Sequence, residues 1–241
     1  MRLAVISDIH GNLEAFYSVL EDIKDKGVTE IISLGDNIGY GPYPEEVLQE
    51  IKKQEIKSVL GNHEYGLIEP EKLDWFNPQA REALLITKNL LSAKAIAEFR
   101  DLPLSLSLYG ARFVHGCPPD DANTYLFELD EEDLRQTFAS FAEQICFVGH
   151  THDLELISFE GELPKRTVLS EGILELSPQR RYIINVGSVG QPRDGDNHAK
   201  YVLWDVHKRR IEVCFVAYNI KKTVLAMQER GLPKRYADRL W

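Results

Sequence analysis

The chain reads as an α/β protein whose reactive side chains gather at the ends of its strands, and three observations predict this. Apolar runs of strand length alternate with helix-period segments from Leu3 to Leu60. Run after run stops at a residue type that binds metals: Asp8 and His10, Asp36, Asn62 and His63, His115, then His150 and His152. Beyond Leu154 the apolar runs follow one another without helices between them, so the second half is mainly β. Of the seven histidines, only His198 and His207 lie outside these strand ends. Histidines used merely for packing would be scattered, so the five read as one assembled site.

Leu3 to Ser7 reads as a buried strand followed by Asp8, His10, Gly11 and Asn12. In an extended chain Asp8 and His10 point to one side, because side chains alternate along a strand. Taken alone, the same pair also reads as a helix N-cap and a turn histidine. Leu13, Phe16, Tyr17, Leu20 and Ile23 then follow helical spacing, with Gly27 as the stop. A strand from Glu30 leads to Gly35-Asp36, and Pro44 opens a short helix carrying Val47, Leu48 and Ile51. The third strand, Ile56 to Leu60, leads to Gly61-Asn62-His63-Glu64. A βαβαβ start predicts parallel strand pairs with ligands at their carboxyl edge.

Residues 65–103 leave this alternation. Asn77-Pro78 starts a helix supported by Ala80, Leu84, Leu85, Leu90 and Leu91, and Ser92 caps another through Phe99. This helical excursion reads either as a wall narrowing access to the site or as a packing layer. Leu104 to Tyr109 and Ala111 to Val114 form a hairpin leading to His115, and residues 116–121 are too rich in Pro and Asp to be regular. Glu131 to Ala142 is helical, and the strand after it delivers His150 and His152. Strands then end at Phe159, Leu176 and Val186, and a further pair spans Tyr201 to Tyr218. A glycine-rich loop from Gly187 to Gly195 carries Arg193. Asn219 caps a last helix that stops at Gly231, leaving an exposed-looking end from Tyr236 to Trp241. A single domain over residues 1–241 is the expected organisation.

The 241 residues are 44% hydrophobic and 27% charged, ordinary globular values, with a net charge of −10. An acidic chain without a basic patch argues against nucleic-acid binding, but not against an anionic substrate, since bound cations supply a positive field locally. Cys117, Cys146 and Cys214 form no C-x-x-C pair and leave an odd thiol, which suits a reducing compartment. Cys117 reads as a loop thiol. With no signal-peptide pattern and no stretch of membrane-spanning length, a cytoplasmic location is expected.

Taken together, Asp8-Ile-His10-Gly-Asn12, Gly35-Asp36, Gly61-Asn62-His63-Glu64, His115-Gly116 and Gly149-His150-Thr-His152 resemble the calcineurin-like metallophosphoesterase superfamily. All five motifs occur in order. The loop Gly187 to Gly195 resembles small prokaryotic predicted phosphoesterases of that superfamily, extending the likeness to nearly the whole chain. The resemblance implies a four-layer α/β (α+β) fold, two facing mixed β-sheets flanked by helices. It implies two divalent or transition metal ions, one held by Asp8, His10, Asp36 and His152, the other by Asp36, Asn62, His115 and His150. Asp36 would bridge, in keeping with the shared anionic ligand that ions roughly 3.5–4 Å apart need. An imidazole, carboxylate and amide set without thiolate suits Mn²⁺ or Fe, with Zn²⁺, Ni²⁺ and Mg²⁺ also compatible. The implied reaction is hydrolysis of a small phosphorylated substrate by in-line attack of hydroxide held between the ions. His63 would assist the leaving oxygen or act only as an outer-shell hydrogen bonder, and Asn12 and Arg193 are candidate phosphate contacts.

One departure bears on substrate. Protein Ser/Thr phosphatases of that superfamily carry Gly-Asp-x-x-Asp-Arg-Gly after the second strand; this chain has Gly39 and Tyr40 where the acid and arginine stand. That disfavours a phosphoprotein substrate and leaves a phosphodiester or nucleotide as the leading expectation. A dinucleoside polyphosphate or nucleotide pyrophosphohydrolase is the alternative. A simple phosphomonoesterase and a non-catalytic scaffold follow behind.

Overall fold

Alternate residues of strand β1 (Arg2–Ile6) face two different cores, which sets the layering of the whole molecule. Leu3 and Val5 pack inward with Ile32, Phe113, Phe147, Ile184, Val202 and Trp204, between two sheets. Ala4 and Ile6 pack outward against Phe16 and Val19 of helix α1 (Leu13–Lys24) and Val47 and Ile51 of α2 (Pro44–Lys53). A computed structural model describes all 241 residues. The remaining helices are α3 (Asn62–Ile68), α4 (Pro78–Asn89), α5 (Ala93–Glu98), α6 (Glu131–Ala139), α7 (Ile220–Glu229) and α8 (Lys234–Asp238).

The strands after β1 are β2 (Glu30–Ser33), β3 (Lys57–Ser58), β4 (Ser105–Leu108), β5 (Ala111–Val114), β6 (Ile145–Val148) and β7 (Leu154–Phe159). They continue as β8 (Lys165–Val168), β9 (Gly172–Glu175), β10 (Arg181–Val186), β11 (Ala199–Asp205) and β12 (Arg210–Val216). Each sheet has six strands, ordered β3-β2-β1-β11-β12-β9 and β4-β5-β6-β10-β7-β8. The pairs β1·β2, β2·β3, β5·β6 and β6·β10 are parallel and the others antiparallel, so both sheets are mixed. Leu134 and Phe138 of α6 cover the outer face of the second sheet with Cys146, Val148 and Ile183. The four layers are therefore helix, sheet, sheet, helix. Because β1, β2, β5 and β6 are parallel strands of the two sheets, their carboxyl ends carry Asp8, Asp36, His115 and His150 to neighbouring positions.

Several boundaries differ from the sequence reading. The third strand is two residues long, although its backbone continues to pair, Val59 N–H donating to Ser33 and Leu60 N–H to Pro103. Helix α6 stops at Ala139, three residues early, where Ser140 N–H turns back to Thr137. Strand β8 is wholly exposed, so its Lys-Arg-Thr-Val sequence carries no burial pattern to read. The chain end packs on its own domain: Tyr236 and Leu240 are buried against Tyr40, Ala80, Ala83 and Met227, while Asp238, Arg239 and Trp241 stay in solvent. No helix is long and apolar enough to cross a membrane.

Candidate metal centre and active site

Backbone conformation at the strand ends contradicts the extended geometry assumed from sequence. Asp8, His10, Asp36, His150 and His152 all have positive φ, between 50° and 68°. For residues other than glycine this left-handed region costs about 1–2 kcal/mol each and persists only where surrounding structure imposes it. Here neighbouring loops impose it. Asp8 N–H donates to the Gly35 carbonyl, His10 N–H to Asp36, and Gly190 N–H to Asp8. Asp8 and His10 reach the same place by successive turns rather than by strand alternation.

The histidine tautomers follow from what their outer nitrogens touch. His10 Nδ1 lies 2.9 Å from the Ile38 carbonyl and His152 Nδ1 2.5 Å from Gln191. His115 Nδ1 lies 2.8 Å from Leu34, and His150 Nε2 2.9 Å from Asn123. A carbonyl only accepts, so each of these nitrogens carries the proton, and the opposite nitrogen of a neutral ring presents a lone pair. Those inner nitrogens converge. His10 Nε2 is 3.0 Å from His152 Nε2, which is 3.2 Å from Asp8 Oδ1, an atom with no hydrogen-bond partner. His115 Nε2 is 3.2 Å from His150 Nδ1, 3.1 Å from Asn62 Oδ1 and 3.3 Å from Asp36 Oδ2. Asp36 Oδ2 is also 3.8 Å from His10 Nε2.

Acceptors facing acceptors in a buried cluster repel one another unless a cation lies among them. Ligands about 2.1 Å from an ion and at right angles are about 3 Å apart, which matches these spacings. Three overlapping sets lie within reach of an ion, Asp8-His10-His152, Asp36-His115-His150 and His10-Asp36-His63. The short contacts single out the first two as metal groups, with Asn62 joining the second and Asp36 facing both, whereas His63 Nε2 stays 3.9 Å from Asp36 Oδ2. The backbone carbonyls that lock the tautomers are outer-shell partners of the kind that orient metal-binding imidazoles.

Burial disfavours charge on His115, but Asp36, Asp8 and Glu64 overcome it and raise its pKa to about 9. His150 goes the other way, down to about 3, through burial and the neighbouring His115 charge; His152 falls to about 4 through burial and Arg193. At pH 7 His115 therefore holds a proton that a bound cation would displace, and Glu64, raised to about 8 by burial and Asp36, is a second protonated group nearby. Metal affinity should rise about tenfold per pH unit up to pH 9 and then level off. Calorimetric titration with Mn²⁺ in buffers of different ionisation enthalpy counts the protons, and zero release at pH 7 would contradict the assignment.

Glu64 appeared in a motif without a role, and the structure supplies one. Its buried carboxylate accepts from the backbone N–H groups of Asp36, Asn37 and Ile38 at 3.0, 2.7 and 3.4 Å, pinning the loop that presents Asp36. Asp36 Oδ1 in turn accepts the His63 N–H at 2.9 Å, at the start of α3.

His63, Asp36, Asn62, His150, His152, Tyr40, Tyr125 and Arg193 line a cavity of about 230 Å³. Its far wall is Trp75, Phe76, Asn77 and Ala80, so the 65–103 excursion does narrow access to the site. Tyr125 stacks on His150 with ring centroids 3.9 Å apart. Arg193 is half-buried, holds only Gln191 Oε1 at 3.4 Å, and has no carboxylate partner. Asn12 is placed differently from expectation. Its Oδ1 accepts from Ala15 N–H and Thr223 Oγ1, and its Nδ2 donates to the Gly190 carbonyl. It caps α1 and ties the 187–195 loop, and it does not line the cavity. Cys117 is a loop thiol, as read, but a buried one, packed with Phe138 and Cys146, and burial pushes its pKa to about 11. A larger cavity, about 560 Å³ near Glu160 and Arg180, contains none of the converging ligands.

This fold, with acceptor clusters at the carboxyl ends of parallel strands, is that of a metal-dependent hydrolase acting on phosphoester bonds. The chain belongs to the calcineurin-like phosphoesterase superfamily, whose domain matches residues 1–209. An uncharacterised protein of Methanocaldococcus jannaschii is 39% identical over 244 residues, covering 99% of this chain and 97% of that one. The crystal structure of a metallophosphoesterase from Sphaerobacter thermophilus superposes with a TM-score of 0.84 at 36% identity, over 100% of this chain and 98% of that one. A hypothetical protein from Pyrococcus horikoshii shares the fold, with a TM-score of 0.78 at 20% identity over 100% of this chain and 97% of that one.

Proposed function

We propose that the protein hydrolyses a small phosphodiester or pyrophosphate-linked nucleotide, using two metal ions held by the two acceptor groups. The observation that carries this reading is the sharing of Asp36 between those groups at the floor of a narrow cavity. Mn²⁺ or Fe suits the donor set best. Such ions supply Lewis acidity toward phosphoryl oxygens and acidify a water at neutral pH.

The chain's own residues do the rest. His63 faces the cavity with Nε2 3.9 Å from Asp36 Oδ2, close enough to reach an oxygen leaving from phosphorus held beside Asp36. Trp75, Phe76 and Tyr125 restrict water and admit only a slender substrate, against a folded phosphoprotein. Arg193, also on the cavity lining, lends positive charge. Three free, buried cysteines accord with a cytoplasmic setting.

A diester brings one negative charge and a monoester two, and Tyr40 stands where related phosphatases place an arginine. On the Mn²⁺-loaded protein, kcat/KM should therefore be higher for bis(p-nitrophenyl) phosphate than for p-nitrophenyl phosphate. A clear preference for the monoester reverses the assignment.

A further inference from the structure

Most arginines of this chain hold a carboxylate within 4 Å, as Arg2, Arg112 and Arg166 do. Arg193, Arg235 and Arg239 hold none, and Arg193 and Arg239 line one cavity next to the metal cavity. Arg239 is the clearest case. Its pKa is lowered by burial and by the like charges of Arg193 and Arg235. On a protein with a net charge of −10, unpaired cations close enough to repel one another are poorly explained by solubility. Guanidinium groups so arranged are matched by a bound anion, above all phosphate, whose oxygens accept their forked N–H groups.

The space for that anion is present. A second cavity of about 320 Å³ is bounded by Arg193, Asn197, Arg239 and Trp241. Arg193 lines this cavity and the metal cavity alike, so the two are neighbours across one side chain. Asp196, also on its wall, is already engaged by Lys200 Nζ at 3.2 Å and by His198. Lys200 is fully buried and also holds Asp194 at 2.8 Å, which fixes the loop presenting Arg193. Trp241, 65% exposed, offers a flat face at the outer end.

We propose that this second cavity is an anion subsite, and that the substrate is a nucleotide carrying two directly linked phosphoryl groups. One lies at the acceptor clusters, the next at Arg193 and Arg239, with the nucleoside against Trp241. The proposal rests on the hydrolase reading above and narrows it. Water adds across the P–O–P link. Its oxygen joins the phosphorus beside Asp36, the bridging P–O bond breaks, and the leaving phosphate takes the electron pair while the proton passes to solvent. A phosphate leaves more readily than an alkoxide, in keeping with a His63 that has no carboxylate to orient it.

The test is binding, read by titration calorimetry on Mn²⁺-loaded protein with free Mn²⁺ held constant. The probes are α,β-methylene-ADP, which resists cleavage, and AMP. The diphosphate should bind about tenfold or more tighter than AMP, as one charge-assisted contact set contributes. Arg239→Ala should bring that ratio close to one. Equal binding of the two probes by the unmodified protein, or a preference that survives Arg239→Ala, overturns the subsite. The hydrolase reading fails by a different result: diphosphate preference in a protein that, with metal, cleaves no phosphoester.

Discussion

Asp36→Asn should strip metal from both acceptor groups at once and lower kcat/KM by about 10³-fold or more. Asp36 Oδ2 is the one carboxylate oxygen that lies near imidazoles of both groups, at 3.3 Å from His115 and 3.8 Å from His10. Burial opposes its charge, yet His115, His63 and His10 hold its pKa well below the usual carboxylate range, so it is anionic at every working pH. Asparagine has the same shape and can still accept the His63 N–H through its remaining oxygen. The substitution thus removes charge and leaves the loop, itself held by Glu64, in place. Lewis-acid stabilisation amounts to several kcal/mol, and about 1.4 kcal/mol corresponds to tenfold in rate. Metal analysis should fall from two ions per chain toward none, whereas Asp8→Asn, confined to one group, should retain the other ion. Chelation should reproduce the loss reversibly. The proton released by His115 on metal loading should also disappear, since Asp36 is the main charge raising that histidine. Retention of two ions with near-normal turnover by Asp36→Asn would show that the carboxylate is not shared.

Much of this site was legible because its side chains repeat one pattern: an apolar strand, then Asp, Asn or His. That pattern survives in the linear chain at Asp8, Asp36, Asn62, His115 and His150. What was not legible is what positions them. The tautomers are set by the carbonyls of Ile38, Leu34, Asn123 and Gln191, and a backbone carbonyl leaves no mark in a sequence. Left-handed backbone at Asp8 and His10 is likewise imposed by hydrogen bonds to residues about 26 positions away, and local alternation misjudged it. Asn12 had a local signal that favoured another role, because it immediately precedes the periodic run of α1 as an N-cap should. The two sheets came through the motifs rather than through periodicity. The exposed strand β8 lacks the apolar alternation that reveals a strand, whereas β9, equally exposed, was read from its run into Leu176. The last helix, α8, was hidden because Gly231 was read as the end of the last helix, although Pro233 just beyond it is at home where a helix begins. The wall formed by Trp75 and Phe76 depends on how residues 65–103 fold back over Asp36, a long-range matter that helix spacing does not address.

His63→Ala should keep both metal ions and lose turnover, most severely on substrates with poor leaving groups. In the metal-dependent phosphatases compared above, an acid stands where this chain has Gly39. Here Gly39, at φ 102°, leaves room for the imidazole, and any Cβ at that position would run into His63 Nδ1. No carboxylate replaces the missing acid, and His63 Nδ1 has no hydrogen-bond partner. The ring is held by aromatic neighbours instead, edge-on to Tyr40 at 4.7 Å, Phe76 at 5.1 Å and His10 at 4.8 Å. Burial, only partly opposed by Asp36, lowers its pKa to about 3, so the free ring is neutral at pH 7. A neutral imidazole can donate an N–H to a developing oxyanion, and an entering phosphate, being anionic, raises its pKa toward the range useful for proton transfer. General acid assistance contributes about 10²–10⁴-fold. The loss on an alkyl ester should approach that range, while nitrophenolate, a stable anion, should need little help and show a much smaller defect. A pyrophosphate link, with phosphate leaving, should fall between them. The ring makes none of the short contacts to other acceptors that mark His10, His115, His150 and His152, so metal content should be unchanged. Equal losses on alkyl and nitrophenyl esters, or loss of bound metal, would move His63 from leaving-group assistance to a structural role.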